Sequence, residues 1–236
     1  MYTDNQRYQD ICTWFKQREF IEKILRVVKE GKEGCVLLCQ GGRSIDYENC
    51  AVKIFKEAGA RNFKNDQQYL EGKVWRRRDL LHITQLKHDF WAKTEFAIME
   101  KLYNAGLPVP RPWVRSDTAI CMKFIGHGEE PASMLKHAQL RKEDAPRVFR
   151  KLINSMDKML SMGIVHGDLS PFNILYHNGE PVIIDFPQAV SANVNRNAFH
   201  LFSHDIDAVC CFFRKYGISE DSYSLADRIW KKYYRF

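Results

Sequence analysis

Ile164–Val190, IVHGDLSPFNILYHNGEPVIIDFPQAV, is the stretch on which the fold turns. Asn173-Ile174-Leu175-Tyr176 reads as a short strand, and Pro181-Val182-Ile183-Ile184 reads as its return. Between them stands Asn178-Gly179, a strong hairpin signal because the tight two-residue turn needs positive φ at both positions. A hairpin in this register sets Asn173, at the start of one strand, beside Asp185, at the end of the next. Asp168 lies on the loop that feeds the first strand, five residues before Asn173.

That grouping suits phosphoryl transfer. A triphosphate needs a divalent cation to bridge its oxygens, and Mg2+ prefers hard oxygen ligands. The carboxylate of Asp185 and the amide carbonyl of Asn173 are such ligands, and Mn2+ is a possible substitute. The attacking hydroxyl needs a positioned acceptor, a role open to Asp168. Taken singly, each residue has a structural reading as well, since an Asp or Asn before a strand commonly shapes a turn. It is the combination H-G-D-x-x-x-x-N-x-L, then N-G, then I-I-D, that points to chemistry.

Composition is compatible with this. The 236 residues are 45% hydrophobic and 28% charged, enough apolar material for a sound core and too much for a disordered chain. An excess of 36 Lys and Arg over 29 Asp and Glu gives a formal charge of +7, which fits ATP phosphates, an acidic protein or RNA. The seven cysteines follow no disulfide or zinc spacing, so reduced thiols and a cytoplasmic location are expected. The first residues lack the apolar core of a secretory leader, and no run approaches the length of a membrane span.

Along the chain, residues 4 to 28 read as a helix, with Ile11, Trp14, Phe15, Ile21, Leu25 and Val28 as a loose apolar stripe. Residues 30 to 35 form a glycine-containing turn before a strand at 36–39. A polar turn follows at 40–49, then a strand at 50–55 that carries Lys53 between apolar neighbours. Residues 59 to 90 give mixed loop and helix with a basic cluster. A helix is predicted from about 90 to 105, ended by Gly106, and then comes an extended, proline-rich connector at 107–112. Next are a turn at 115–118, a strand at 119–124, a bend at 125–128 and a short helix or loop at 129–140. The clearest helix spans about 142–161, with Asp144 and Pro146 at its start and Val148, Phe149, Leu152, Met156, Met159 and Leu160 as its buried face. A last helix starts between 219 and 224, with Leu225, Ile229 and Tyr233 on one face.

The central stretch resembles the catalytic and metal loops of the protein-kinase-like superfamily, and within it the RIO family of atypical protein kinases. His166-Gly167-Asp168-Leu169-Ser170 and Ile184-Asp185-Phe186-Pro187-Gln188 both carry RIO-like wording. The resemblance runs from about residue 20 to 217. It implies an α+β, two-lobed kinase-like fold, with a small antiparallel-sheet lobe over about 30–125 and a mainly helical lobe over 126–236, preceded by an N-terminal helix at 1–29. Gly31-Lys32-Glu33 matches the RIO nucleotide loop, although Lys29 and Glu30 stand where Ser and Thr are usual. Lys53 matches the lysine on the ATP phosphates, and Glu95 matches its ion-pair partner. Met122, Phe124 and Ile125 match the adenine-contacting hinge. Phe63-Lys64-Asn65-Asp66 and Tyr69-Leu70-Glu71-Gly72 follow the RIO-specific insertion. The basic 61–78 segment then becomes the candidate contact for preribosomal RNA or ribosomal proteins. Asp205 would brace the catalytic loop, an N-cap role being equally open to it.

The activity implied is Mg-ATP-dependent serine/threonine phosphorylation or ATP hydrolysis, with Asp168 and Asp185 as catalytic residues and Asn173 and Asp185 on the metal. Asp185 is also a candidate site for an acyl-phosphate, and small-subunit ribosome assembly is a candidate setting. After Asp185 there is no D-F-G or A-P-E, and little room for a peptide-binding segment. Two further classes stay open: an aminoglycoside-like small-molecule phosphotransferase, which shares H-G-D-x-x-x-x-N, and a non-catalytic, nucleotide-sensing module that binds RNA or preribosomes.

Overall fold

The computed structural model describes residues 4–31, 34–55 and 83–234. The nucleotide-loop residues Lys32 and Glu33 and residues 59–82 of the 59–90 insertion lie outside the described residues. Two compact units emerge. The first takes its described residues from 4–55, 83–105 and 110–131, and the second from 106–109 and 132–234.

The first unit is built on a five-stranded antiparallel sheet. Its strands are β1 (Ile21–Glu30), β2 (Gly34–Gly41), β3 (Asn49–Phe55), β4 (Pro112–Arg115) and β5 (Ala119–Lys123), in the order β1-β2-β3-β5-β4. Side chains alternate across a strand, and here both faces are covered. Cys50, Val52 and Ile54 of β3 join Ala119 and Cys121 of β5 in a core with Cys12 and Phe15 of α1 (Asp4–Lys16). The opposite face carries Phe55 and Ile120, packed with Ala92, Trp91 and Phe96 of α2 (Ile83–Asn104). Lys53 falls on this second face. Two short strands, β6 (Gly126–His127) and β7 (Glu130–Pro131), complete the unit.

The expected helix over 4–28 is half right. Helix α1 stops at Lys16, and the chain turns through Glu19, whose φ is +59°, into the edge strand β1. The spacing of Ile21, Leu25 and Val28 mimics a helical stripe because β1 pairs with β2 through three register shifts, which break a clean two-residue alternation.

In the second unit, α3 (Ala145–Ser161) buries the whole face predicted for it, Val148, Phe149, Leu152, Met156, Met159 and Leu160. Its start differs in one detail. Pro146 occupies the first turn, but the Asp144 side chain makes no capping bond and pairs instead with Arg141 Nε at 2.7 Å. Strands β10 (Ile174–His177) and β11 (Glu180–Ile183) form the expected hairpin, with φ of +50° at Asn178 and +79° at Gly179. The 129–140 stretch is not a short helix: Ser133–Met134 is a strand, β8, that adds to β10. Strands β9 (Ile164–Val165) and β12 (Val190–Ser191) pair antiparallel, ahead of α4 (Ala198–Phe213) and α5 (Ser222–Trp230). Asp221 caps α5, accepting from the Ser224 amide. Leu225, Ile229 and Trp230 are buried, whereas Tyr233 lies beyond the helix, half-exposed, with its hydroxyl on Asp157.

Candidate active site

In the first unit the ladder fixes Lys53 on both sides, opposite Val36 of β2 and Ile120 of β5. Its ammonium reaches both carboxylate oxygens of Glu95, at 2.8 and 2.9 Å. Ala92, Glu95, Met99 and Leu102 recur at helical spacing, so Glu95 sits in the buried stripe of α2 and its side chain is 1% exposed. A carboxylate there needs a compensating charge, and Lys53, itself 12% exposed, provides it.

The other nucleotide-site candidates of this unit are more open. Gly31 is exposed and donates its amide to the Gly34 carbonyl, closing the β1–β2 turn. At Gly34 the backbone passes so close to β3 that an added Cβ would meet the Ile54 carbonyl oxygen at 2.1 Å, so glycine alone fits. Met122 is half-buried on the same sheet face as Lys53 and Phe55. Phe124 and Ile125 follow β5, also half-buried. Lys123, where the RIO pattern has Glu, lies over the Tyr47 ring at 4.6 Å.

The second unit gathers Asp168 and Asn173. Asp205, buried in mid-α4 rather than capping it, accepts hydrogen bonds from the amides of Gly167 at 2.8 Å and Leu169 at 2.7 Å. Burial pushes its pKa up to about 8, against the pull of those two bonds. His166 is buried; its Nε2 lies 3.2 Å from the Ile184 carbonyl, its Nδ1 accepts the Asp168 amide at 3.4 Å, and its ring packs on Phe186. The neutral tautomer with a proton on Nε2 satisfies both contacts, which makes His166 a scaffold for the loop.

Asn173 is locked from several directions. Its amide donates to Ser170, its carbonyl accepts from Ile184, and its side-chain Nδ2 donates to the Asp168 carbonyl at 2.8 Å and to Asp168 Oδ2 at 3.3 Å. That commits the nitrogen and leaves Oδ1 as the acceptor. Burial, then the charge of Asp185, raise Asp168 above the usual carboxylate range, while the Asn173 bond and His204 oppose the rise. Asp185 itself sits at φ +71°, a left-handed conformation uncommon outside glycine.

The donor set fits Mg2+. The Asp185 carboxylate and the Asn173 amide oxygen are hard ligands, and a cation on them relieves the repulsion between Asp185 and Asp168. Among the described residues no cluster of three or more His, Cys, Asp or Glu side chains could hold a metal. Mg2+ does not need one, since it keeps water and phosphate oxygens and takes only one or two protein ligands.

One contact had no expectation behind it. Gln188 Nε2 lies 3.4 Å from Asp168 Oδ2. In the sequence Gln188 is visible only as part of the Phe186-Pro187-Gln188 replacement, and nothing local marks it as a partner of a residue twenty positions earlier.

A sequence profile described as the RIO domain matches residues 36–226. The chain is 32% identical to the RIO-type serine/threonine-protein kinase Rio1 of Haloferax volcanii, over 84% of this chain and 66% of that protein. It is 29% identical to the human serine/threonine-protein kinase RIO3, over 85% of this chain and 40% of that one. It therefore spans between two fifths and two thirds of the length of these relatives. Among solved structures it resembles the Rio2 kinase–ADP/Mg2+–phosphoaspartate complex from Chaetomium thermophilum, with a TM-score of 0.68, 23% identity, and coverage of 94% of this chain and 66% of that one.

Proposed function

The chain belongs to the RIO family of atypical serine/threonine kinases within the protein-kinase-like superfamily, and from that premise we propose that it carries out Mg-ATP-dependent phosphoryl transfer to a protein hydroxyl or to water. The observation that carries this is the braced loop of the second unit. There Asp168 and Asn173 are hydrogen-bonded to each other beside the charge of Asp185, with the loop's backbone held by Asp205.

Each group then has a task. Lys53, oriented by Glu95, neutralises the α- and β-phosphates. Gly31, Lys32 and Glu33 are assigned to the phosphates by family resemblance, and the segment Met122–Ile125 takes the adenine. Asp168 accepts the proton of the attacking hydroxyl. Asn173 Oδ1 and Asp185 would hold Mg2+, or Mn2+ in its place, which would supply charge neutralisation at the phosphates. Positioning and charge compensation carry the rate, so no buried nucleophile is required.

A second course is favoured by the strained backbone of Asp185 and by the phosphoaspartate named for the Chaetomium relative. An Asp185 carboxylate oxygen attacks the γ-phosphorus, the bond to the β-phosphate bridging oxygen breaks, and ADP leaves. Water then cleaves the acyl-phosphate. This would make the protein an ATPase switch, and its setting would be small ribosomal subunit assembly in the cytoplasm. The basic 61–78 segment would contact RNA or ribosomal proteins; that assignment rests on its charge and on family resemblance.

The test is γ-labelled ATP with Mg2+, comparing wild type, Asp168→Ala and Asp185→Ala on a generic protein acceptor and an aminoglycoside, with free phosphate measured alongside. Label on protein, lost in both variants, is the expected kinase result. Free phosphate with a hydroxylamine-sensitive protein adduct, lost in Asp185→Ala, is the ATPase-switch result. Label on the aminoglycoside alone would overturn both, as would ATP binding with no turnover.

A further inference from the structure

We propose that Gln188 is a positioning residue for this reaction: its side-chain amide holds Oδ2 of Asp168, so that Oδ1 is the oxygen presented to the attacking hydroxyl or water. The inference rests on the functional reading above and adds a residue to it.

The geometry comes from the short β9–β12 ladder. Val165 pairs with Val190 and Ser191 with Ile164. Asp168 lies three residues after Val165, and Gln188 lies two residues before Val190. Both segments therefore leave the ladder at the same end, and the two side chains meet there at 3.4 Å. Buried Phe186, packed on His166, fixes the segment on one side, and the turn from the Ala189 amide to the Phe186 carbonyl fixes it on the other. Pro187, with its fixed φ, stiffens the residue between. Gln188 itself is half-exposed, so its side chain is not needed to fill the core.

Asp168 has two carboxylate oxygens and an unequal set of donors. Oδ2 takes both amides, Asn173 Nδ2 and Gln188 Nε2, and among the described residues no hydrogen bond is made to Oδ1. A carboxylate held through one oxygen by two amides is restrained from swinging, and its other oxygen keeps a preferred direction. The two amides differ in kind. Asn173 has a second task at the metal through its own Oδ1, whereas Gln188 acts on Asp168 alone. A 3.4 Å separation is long for a hydrogen bond, as catalytic contacts commonly are before substrate binds.

The test compares ATP turnover of wild type, Gln188→Ala, Gln188→Glu, Gln188→His and Asp168→Asn in the full chain with Mg2+. Misaiming a reacting group costs up to about a hundredfold, so Gln188→Ala is expected to lower kcat about tenfold while KM for ATP stays within about twofold. Gln188→Glu keeps the shape, loses the N–H and faces Asp168 with a second carboxylate, and it should fall further. Gln188→His, with an N–H at similar reach, should recover part of the loss, and thermal unfolding should not move. In the nucleotide-free protein the 13Cγ resonance of Asp168, identified by its loss in Asp168→Asn, should shift in Gln188→Ala and move back in Gln188→His. Turnover that Asp168→Asn abolishes but Gln188→Ala leaves within about twofold overturns the positioning role alone, as does an unmoved resonance. A wild-type protein that binds ATP and turns none over overturns the functional reading and the positioning role together.

Discussion

The Lys53–Glu95 pair and the His166–Asn173 loop keep charged groups in place by different means. The pair spans 42 residues of sequence and depends on one strand and one helix packing face to face, with two opposite charges meeting in a nearly dry space. The loop carries Asp168 beside the like charge of Asp185, and its main chain is held by hydrogen bonds: the Gly167 and Leu169 amides to the Asp205 carboxyl, Asn173 to Ser170, Ile184 to Asn173. Opposite charges can be brought together by side chains alone. Like charges repel, so the backbone must hold them until a cation arrives. The first arrangement should therefore fail through charge removal, and the second through loss of the side-chain oxygens that accept from the loop's amides.

Lys53→Met breaks the comparison at its strongest point. It leaves the Glu95 carboxylate buried without the lysine, and removal of one partner of a buried pair costs about 3–5 kcal/mol. Urea denaturation should show this loss, and the double change Lys53→Met, Glu95→Leu should recover most of it without recovering turnover. Asp205→Asn comes next. An asparagine offers one acceptor oxygen where the loop has two N–H groups to satisfy, and a buried N–H left unsatisfied costs about 1–3 kcal/mol. Hydrogen exchange at Gly167 and Leu169 should quicken in Asp205→Asn and stay slow in Lys53→Met.

A smaller effect is expected at the hairpin that carries Asn173 into its strand. Asn178→Val puts a β-branched residue at φ +50°, at a cost of about 1–2 kcal/mol, visible as a lower denaturation midpoint. The smallest is Glu180→Ala. Its ion pairs with Arg147 and Lys151 are exposed on both sides, so the change should cost less than about 1 kcal/mol and vanish in high salt.

How much could be read beforehand follows from the same contrast. Local features were legible. The Asn178-Gly179 turn, the α3 stripe and the spacing from Asp168 to Asn173 are each set within a few residues, where steric and periodic rules act directly. Glu95 was legible only through family resemblance, because a glutamate in a helix is ordinarily solvated. Strand β1 was misread because IEKILRVVKE combines helix-forming residues with apolar spacing that suits a helix, and no glycine or proline separates it from α1. What decides β1 is its pairing with β2, which a reading of neighbours cannot contain. The Gln188–Asp168 contact escaped for the same reason, since it exists only once β9 and β12 have paired.

The cysteines of the sheet have a practical consequence. Cys12, Cys35, Cys39, Cys50 and Cys121 are buried in the first unit and Cys210 in the second, while Cys211 is exposed. Neighbouring thiols and burial raise the pKa of Cys12, and burial pushes that of Cys210 up to about 11, so these two stay protonated in the folded chain, while burial keeps reagent from all six. A thiol-labelling reagent thus becomes a stopwatch. Cys211 should react at once and serve as the internal standard, and every later modification should report an opening event. Because the slow sites divide five to one between the units, the order in which mass is gained would reveal which half of the protein breathes first.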